Sequence, residues 1–354
     1  MAPCHHASWV ELSDAAAHRL IDPGRLGRLV GTLEDARSQC PQVVLCVGRG
    51  RKQQAVDALL PNPDVGRSRP RNGFANLFLR SVSAHEMYPA LIADCTYDAH
   101  PPVHRSERRC HEKRSFPVSW TATEGQTRHS ILTRLIFPFA DAIAIFADDF
   151  GELDAVLALL QRWVSQDYAT DLPWKARPRV CILADQPQTL AERTAQKVFR
   201  SQLRAIKLRR HFSSIRLVSL SPAAETPTGE CQRAAELRRI LLRDELKAAR
   251  TARRSERLLF AAHHFTWFFT HATAHVARSI REPFSFMLTS RVHRPLPPSY
   301  DDQLSAFFRL AVTNQIPLDI VVTLVASSIL LDAYPPAAHR ESSSLSGGLP
   351  RVRP

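Results

Sequence analysis

Apolar positions along this chain alternate between two periods and then settle on one. Gln42 to Val47, "QVVLCV", is a continuous apolar, β-branched run of the kind expected in a strand buried on both faces. The stretch after it sets Val56, Leu59 and Leu60 on one helical face before Pro61 stops it. The same reasoning predicts strands at Asn76–Ser81, Ala90–Asp94, Ala142–Ala147, Arg179–Ala184 and Ile215–Leu220. Helical spacing falls between most of them, over Arg128–Phe137, Glu152–Val164 and Leu190–Leu203. Only the second and third strands lack an intervening helix, which predicts an antiparallel hairpin there. Ahead of this core, Ser8 and Glu11 have capping-box spacing and Asp22-Pro23 reads as an N-cap with proline at the first helical position, so two short helices are expected. From Arg254 onward the pattern is helical and aromatic, through Phe260, Trp267, Phe268, Phe269, Phe307 and Phe308 to the apolar run ending at Leu331.

The order β-α-β-β-α-β-α-β-α-β is that of the GTPase branch of the P-loop fold. The expectation is therefore an α/β domain with a P-loop GTPase-like, mostly parallel sheet and flanking helices, followed by a helical module. The boundaries implied are an N-terminal helical extension over 1–40, the α/β domain over 41–222, the helical module over 223–338 and a disordered, low-complexity tail over 339–354.

A nucleotide site on such a fold has fixed requirements. A G-x-x-x-x-G-K-[ST] loop wraps the phosphates with backbone N–H groups, its Lys reaches the terminal ones and its hydroxyl binds Mg²⁺. Here Gly48-Arg49-Gly50-Arg51-Lys52-Gln53 is shorter, and Gln53 stands where the hydroxyl belongs. Asp94 at the end of the third strand matches the metal-side aspartate, but Tyr97 replaces the glycine whose N–H would meet the γ-phosphate. After the fifth strand, "ADQPQ" keeps only Asp185 of the Asn-Lys-x-Asp set that reads guanine. Gly48, Gly50, Lys52, Asp94 and Asp185 are thus the candidate nucleotide-site residues, with a nucleotide and Mg²⁺ as the conceivable cofactors. A scaffold without turnover is the favoured reading, ahead of weak nucleotide binding and of a working NTPase.

Several blocks, "LIADC" at Leu91–Cys95, "CHE" at Cys110–Glu112, "VSW" at Val118–Trp120, "RLIFPFADAIAIFADDFGELD" at Arg134–Asp154 and "ASSILLDAYPPAAHRE" at Ala326–Glu341, resemble the N-terminal region of large fungal patatin-like phospholipase proteins. In that family the region precedes the lipase domain, so the resemblance implies a regulatory or targeting module whose partners include other protein domains, a patatin-like lipase domain among them. The lipase chemistry itself needs a G-x-S-x-G elbow and a D-G-[GA] motif, and the sequence contains neither. Lipase activity is therefore not expected of it, and the chain reads as the N-terminal piece of a longer protein or the product of a truncated gene.

Metal chemistry has weaker support. Cys95, His100, His104, Cys110 and His111 carry zinc-binding atoms, with Cys95, Cys110 and His111 the best candidates, but no Cys-x₂-Cys knuckle accompanies them and an ordinary loop is favoured. His264, His271 and His275 share one helical face with Phe260 and Trp267, which reads as packing. His85-Glu86 and His111-Glu112 lack the second histidine of H-E-x-x-H, with Pro89 and Ser115 in its place.

Charge adds a further possibility. The chain of 354 residues holds 47 Lys and Arg against 34 Asp and Glu, a net +13, which favours anionic partners. Arg200 to Arg257 carries 15 basic and 6 acidic residues, so most of the excess lies there. A solvated helix face is the favoured reading of that stretch, and a basic anion-binding module for nucleic acid or a membrane surface is the alternative. Seven cysteines without pairing rhythm, and no signal peptide at the start, suit a cytoplasmic protein with free thiols. The apolar run Ile320–Leu331 is shorter than the roughly 20 residues of a membrane span. It reads instead as a buried helix, and any part of this apolar surface left unmatched is expected to drive self-association.

Overall fold

The computed structural model describes residues 7–13, 19–60, 75–96, 113–121, 124–165, 171–206, 211–221, 226–293 and 299–333. It divides into two compact units, Met1–Phe284 and Ser285–Pro354.

The first unit is mixed α/β. Its nine strands are β1 (Ser8–Ser13), β2 (Arg19–Asp22), β3 (Gln42–Gly48), β4 (Ala75–Leu79), β5 (Ala90–Thr96), β6 (Arg114–Pro117), β7 (Ala142–Phe146), β8 (Arg179–Asp185) and β9 (Ser214–Leu220). They form one sheet in the order β6-β2-β1-β4-β5-β3-β7-β8-β9. Strands β5, β3, β7, β8 and β9 pair in parallel, with Val44 opposite both Ile92 and Ala142. From β5 through β4, β1 and β2 to β6 every pairing is antiparallel. The sheet is therefore not mostly parallel as expected: the expected β4–β5 hairpin is there, but beyond it β1, β2 and β6 add antiparallel strands that the sequence reading did not foresee.

That difference has a local cause. Ser8 to Ser13 forms a strand between β2 and β4 instead of a helix, and Ser8 Oγ donates to the Val10 carbonyl instead of capping. Trp9 inside it is fully buried and stacks on Phe269 at 5.0 Å, a tertiary contact that outweighs the local capping signal. Of the two short helices expected before residue 40, the second appears as α1 (Arg25–Val30), but its N-cap is Gly24, at φ 65°, and not Asp22, whose carboxylate accepts from Gly24 N–H ahead of the helix while Pro23 lies outside it.

Helices cover both faces. On one, α2 (Gly50–Leu59) joins a long helix made of α6 (Pro227–Leu237), a π-helical stretch (Arg238–Glu245) and α7 (Leu246–Ser255). Val56, Leu59, Leu237, Ile240 and Leu241 pack there with Val44, Cys46, Ile92 and Ala144 of the sheet. On the antiparallel half, α8 (Ala262–Arg278) contacts α1, β2 and β6, and Phe265 and Phe269 meet Phe139 edge-on at 5.3 Å. The others are α3 (Glu124–Ile131), which runs on through a π-helical turn, α4 (Leu153–Val164) and α5 (Leu190–Ala205). The expected boundary at 222 is thus not a boundary of packing, because α6, α7 and α8 belong to the same unit as the sheet.

Two buried ion pairs tie the long helix to the sheet. Arg253 lies 3.2 Å from Asp141 and donates to the Ala140 carbonyl at 2.8 Å, while Asp141 accepts from Val43 N–H at 2.7 Å. Glu245, fully buried, pairs with Arg179 at 2.6 Å and with Arg216.

The second unit contains α9 (Phe286–His293), α10 (Tyr300–Thr313) and α11 (Leu318–Ala333), with α9 and α10 both against α11. No helix among the described residues is long and apolar enough to cross a membrane.

Candidate functional site

The five residues singled out for a nucleotide converge at the carboxyl ends of the parallel strands, where open α/β sheets place their ligands. Gly48 ends β3, Gly50 opens α2, Asp94 lies near the end of β5 and Asp185 ends β8. What occupies the space between them is the protein itself.

A helix N-terminus offers backbone N–H groups without intrahelical partners, and the aligned peptide dipoles favour an anion there. At α2 that anion is the side chain of Asp149, delivered by the 3-10 turn Ala147–Phe150 directly after β7. Its Oδ2 accepts from Arg49 N–H at 2.5 Å and Lys52 N–H at 2.9 Å, and its Oδ1 accepts from Arg51 N–H at 2.7 Å. Gly48 makes room for it: a Cβ at that position would lie 2.4 Å from Asp149 Oδ2. Gly50 is less constrained, since its Cβ would sit 3.9 Å from Oδ1.

Lys52 is turned away from this cradle. Its side chain is 2% exposed, with Nζ 2.5 Å from Asp94 Oδ1 and donating to Thr96 Oγ1 at 2.8 Å. A buried ammonium is held this way because an unpaired one is strongly disfavoured. Gln53, at the position of the expected hydroxyl, donates through Nε2 to Asp57 at 2.9 Å and so faces along its own helix.

Asp185 closes the arrangement. It pairs with Arg233 of α6 at 2.6 Å and with Arg51 at 3.5 Å, and its N–H donates to Asp148 Oδ2 at 3.3 Å. Burial pushes the Asp148 carboxyl up, the charge of Asp185 adds to that, and Arg51 and Arg233 oppose it. The cations Arg51, Lys52 and Arg233 thus each face a carboxylate of the same chain.

Asp149 and its neighbour Asp148 are the residues of this arrangement that the sequence reading missed. A signal was present: "FADDF" follows a predicted strand directly, so its acids had to emerge at the carboxyl edge of the sheet. What the sequence did not specify is that β7 lies beside β3.

Tyr97, His100, His104, Cys110 and His111 lie outside the described residues. Cys95 sits wholly buried on β5, and burial pushes its thiol up to about 12, so it stands protonated at neutral pH. Among the described residues no group of three or more His, Cys, Asp or Glu is placed to hold a metal. Along α8, the His271 ring lies 4.1 Å from that of Trp267, and His275 Nε2 is 3.1 Å from the Glu282 carbonyl oxygen.

No protein-family model and no curated protein matches the sequence, so the likeness to patatin-like proteins rests on the quoted blocks alone. Among solved structures, the chain is similar to the siderophore hydrolase EstA from Aspergillus nidulans, at 11% identity over 68% of this chain and 96% of that one, with a TM-score of 0.26. A superposition that loose shows neither a shared fold nor a shared chemistry.

Proposed function

We propose that this chain is a non-catalytic regulatory or interaction module on a GTPase-like scaffold whose nucleotide site is taken up by the protein's own side chains. The observation that carries this reading is Asp149, whose carboxylate accepts the three α2 backbone N–H bonds a phosphate would need. Lys52, which would reach a terminal phosphate, is instead committed to Asp94. The strand order β4-β5-β3-β7-β8-β9, with β4 alone antiparallel, supports the GTPase-like reading of residues 41–222. The resemblance of the quoted blocks to the region ahead of a patatin-like lipase domain supports regulation over turnover.

The test is titration calorimetry of the full chain with GTP, GDP and ATP in the presence of Mg²⁺, repeated with Lys52→Ala. No heat of binding is expected for any nucleotide. Binding by the unaltered chain that Lys52→Ala abolishes would replace this reading with that of a nucleotide-binding NTPase.

A further inference from the structure

The basic excess between Arg200 and Arg257 separates, in three dimensions, into cations used internally and cations that are not. Arg216 pairs with Glu245, Arg233 with Asp185 and Arg253 with Asp141, Arg238 donates to the Ala58 carbonyl, and Arg250 lies 4.1 Å over the Tyr88 ring. Those side chains are structural. Helix α5 is different. Arg193, Lys197, Arg200 and Arg204 are all exposed along it, and no ion pair or side-chain hydrogen bond joins any of them to another described residue.

Their spacing of four, three and four residues places them on one stripe, within an arc of about 60° on a helix that turns 100° per residue, and extends it over about 16 Å. The helix's only acidic residue, Glu192, accepts from Gln188 and Thr189 N–H at the capping box, and Phe199 and Gln196 face inward. Beside the stripe stands Leu190, 80% exposed, while Val198, 50% exposed, lies about a third of a turn further round the helix. An outward helix face with a straight row of cations and an adjacent bare aliphatic side chain shares these features with an interfacial helix.

We propose that the outer face of α5 docks this protein on an anionic lipid surface, with the four cations on headgroup phosphates and carboxylates and Leu190 at headgroup level. A nucleic-acid backbone would satisfy the cations equally well. It would leave the Leu190 side chain in water, and the face has no aromatic ring on which a base could stack. The proposal deepens the interaction-module reading by naming its partner. It is independent of the nucleotide titration, because α5's stripe shares no residue with the Asp149 cradle.

The experiment is flotation of the full chain with vesicles of phosphatidylcholine, with and without phosphatidylserine, over a range of salt concentrations. Binding is expected only with the anionic lipid and weakens as salt rises. Each cation at such a surface contributes about fivefold, so Lys197→Gln/Arg200→Gln lowers the partition coefficient about twenty-five-fold. Arg243→Gln/Lys247→Gln removes the same charge from an exposed part of the long helix and changes it less than about twofold. Leu190→Ser weakens binding several-fold at constant charge. Three results would overturn the proposal: no binding to anionic vesicles at low salt, equal losses in the two double variants, or tighter binding to nucleic acid than to vesicles with no effect of Leu190→Ser.

Discussion

At the scale of single residues, the site is defined by one close approach. Gly48 is required because Asp149 Oδ2 fills the volume that a Cβ would need, and Asp149 is held because three N–H groups converge on it. The two residues are therefore energetically coupled. Asp149→Ala removes a helix-capping carboxylate and is expected to destabilise the fold by about 1–2 kcal/mol. Gly48→Ala expels the same carboxylate and adds backbone strain, so it costs more. In the double variant the carboxylate is already gone, and the total loss is smaller than the sum of the single losses. Urea denaturation of the four proteins measures this directly. Strictly additive losses would mean that Asp149 does not occupy the cradle in solution.

At the scale of elements, what was readable from sequence follows burial. The parallel strands β3, β5, β7 and β8 are buried on both faces, so they appear as unbroken apolar runs whose predicted bounds lie within about two residues of those observed. Strands β2 and β6 are four residues long, and although β1 and β2 form a local hairpin, they join the rest of the sheet only through the distant partners β4 and β6, so no local pattern announces their place. The candidate site divides in the same way. Gly48, Asp94 and Asp185 were found because each sits at or near a strand end that could be read, and Lys52 because it lies in the first turn of the helix just after one, whereas Asp149 acts on a helix 97 residues away through a neighbour relation that only the sheet order supplies.

Long-range ion pairs were equally invisible, and Arg253 is the one whose loss should matter most. It sits almost wholly buried between α7 and the segment before β7. Arg253→Met leaves Asp141 uncompensated and is expected to cost about 3–5 kcal/mol. Arg253→Met/Asp141→Leu costs less than Arg253→Met alone, because the stranded charge goes with its partner. Chemical denaturation of both variants decides it: a double variant weaker than the single one would place the stabilisation in the Val43 and Ala140 hydrogen bonds and not in the charge pair.

The helix formed by α3 and its π-helical extension carries a pH-dependent contribution. His129 is buried, and burial, with the Arg162 guanidinium adding to it, lowers its pKa from the ordinary 6.5, although the Arg162 backbone opposes the shift. A lowered folded-state value means that the unfolded chain binds the proton more readily. The contribution to stability is therefore complete above 6.5 and is lost as pH falls from there toward the folded-state value. His129→Leu removes the titration, so the difference in unfolding free energy between the two proteins should shift in the variant's favour on acidification below 6.5. A difference constant with pH would show that His129 titrates alike in both states.

At the scale of the whole molecule, the two units present different surfaces. The sheet-containing unit encloses most of its apolar side chains between helices and leaves only scattered ones, Leu190 and Trp174 among them, exposed among the described residues. The second unit does the reverse: α11, whose sequence "LDIVVTLVASSILLDA" is apolar all round, leaves Ile320, Val322 and Leu324 about half exposed, and α10 adds Leu310 and Val312. A helix of that composition is normally enclosed on all sides. Among the described residues the three helices of this unit do not supply that enclosure, and the apolar area left open exceeds the scattered single residues normal for a soluble surface. The full chain is therefore expected to bind an environment-sensitive apolar dye in its native state and to sediment in a concentration-dependent manner. Val322→Glu/Leu324→Glu, both at exposed positions, should reduce dye fluorescence at least several-fold and return the chain toward a single monomeric species without loss of helix content. A dye-negative, strictly monomeric unaltered chain would mean that the apolar face of α10 and α11 is covered within the molecule in solution.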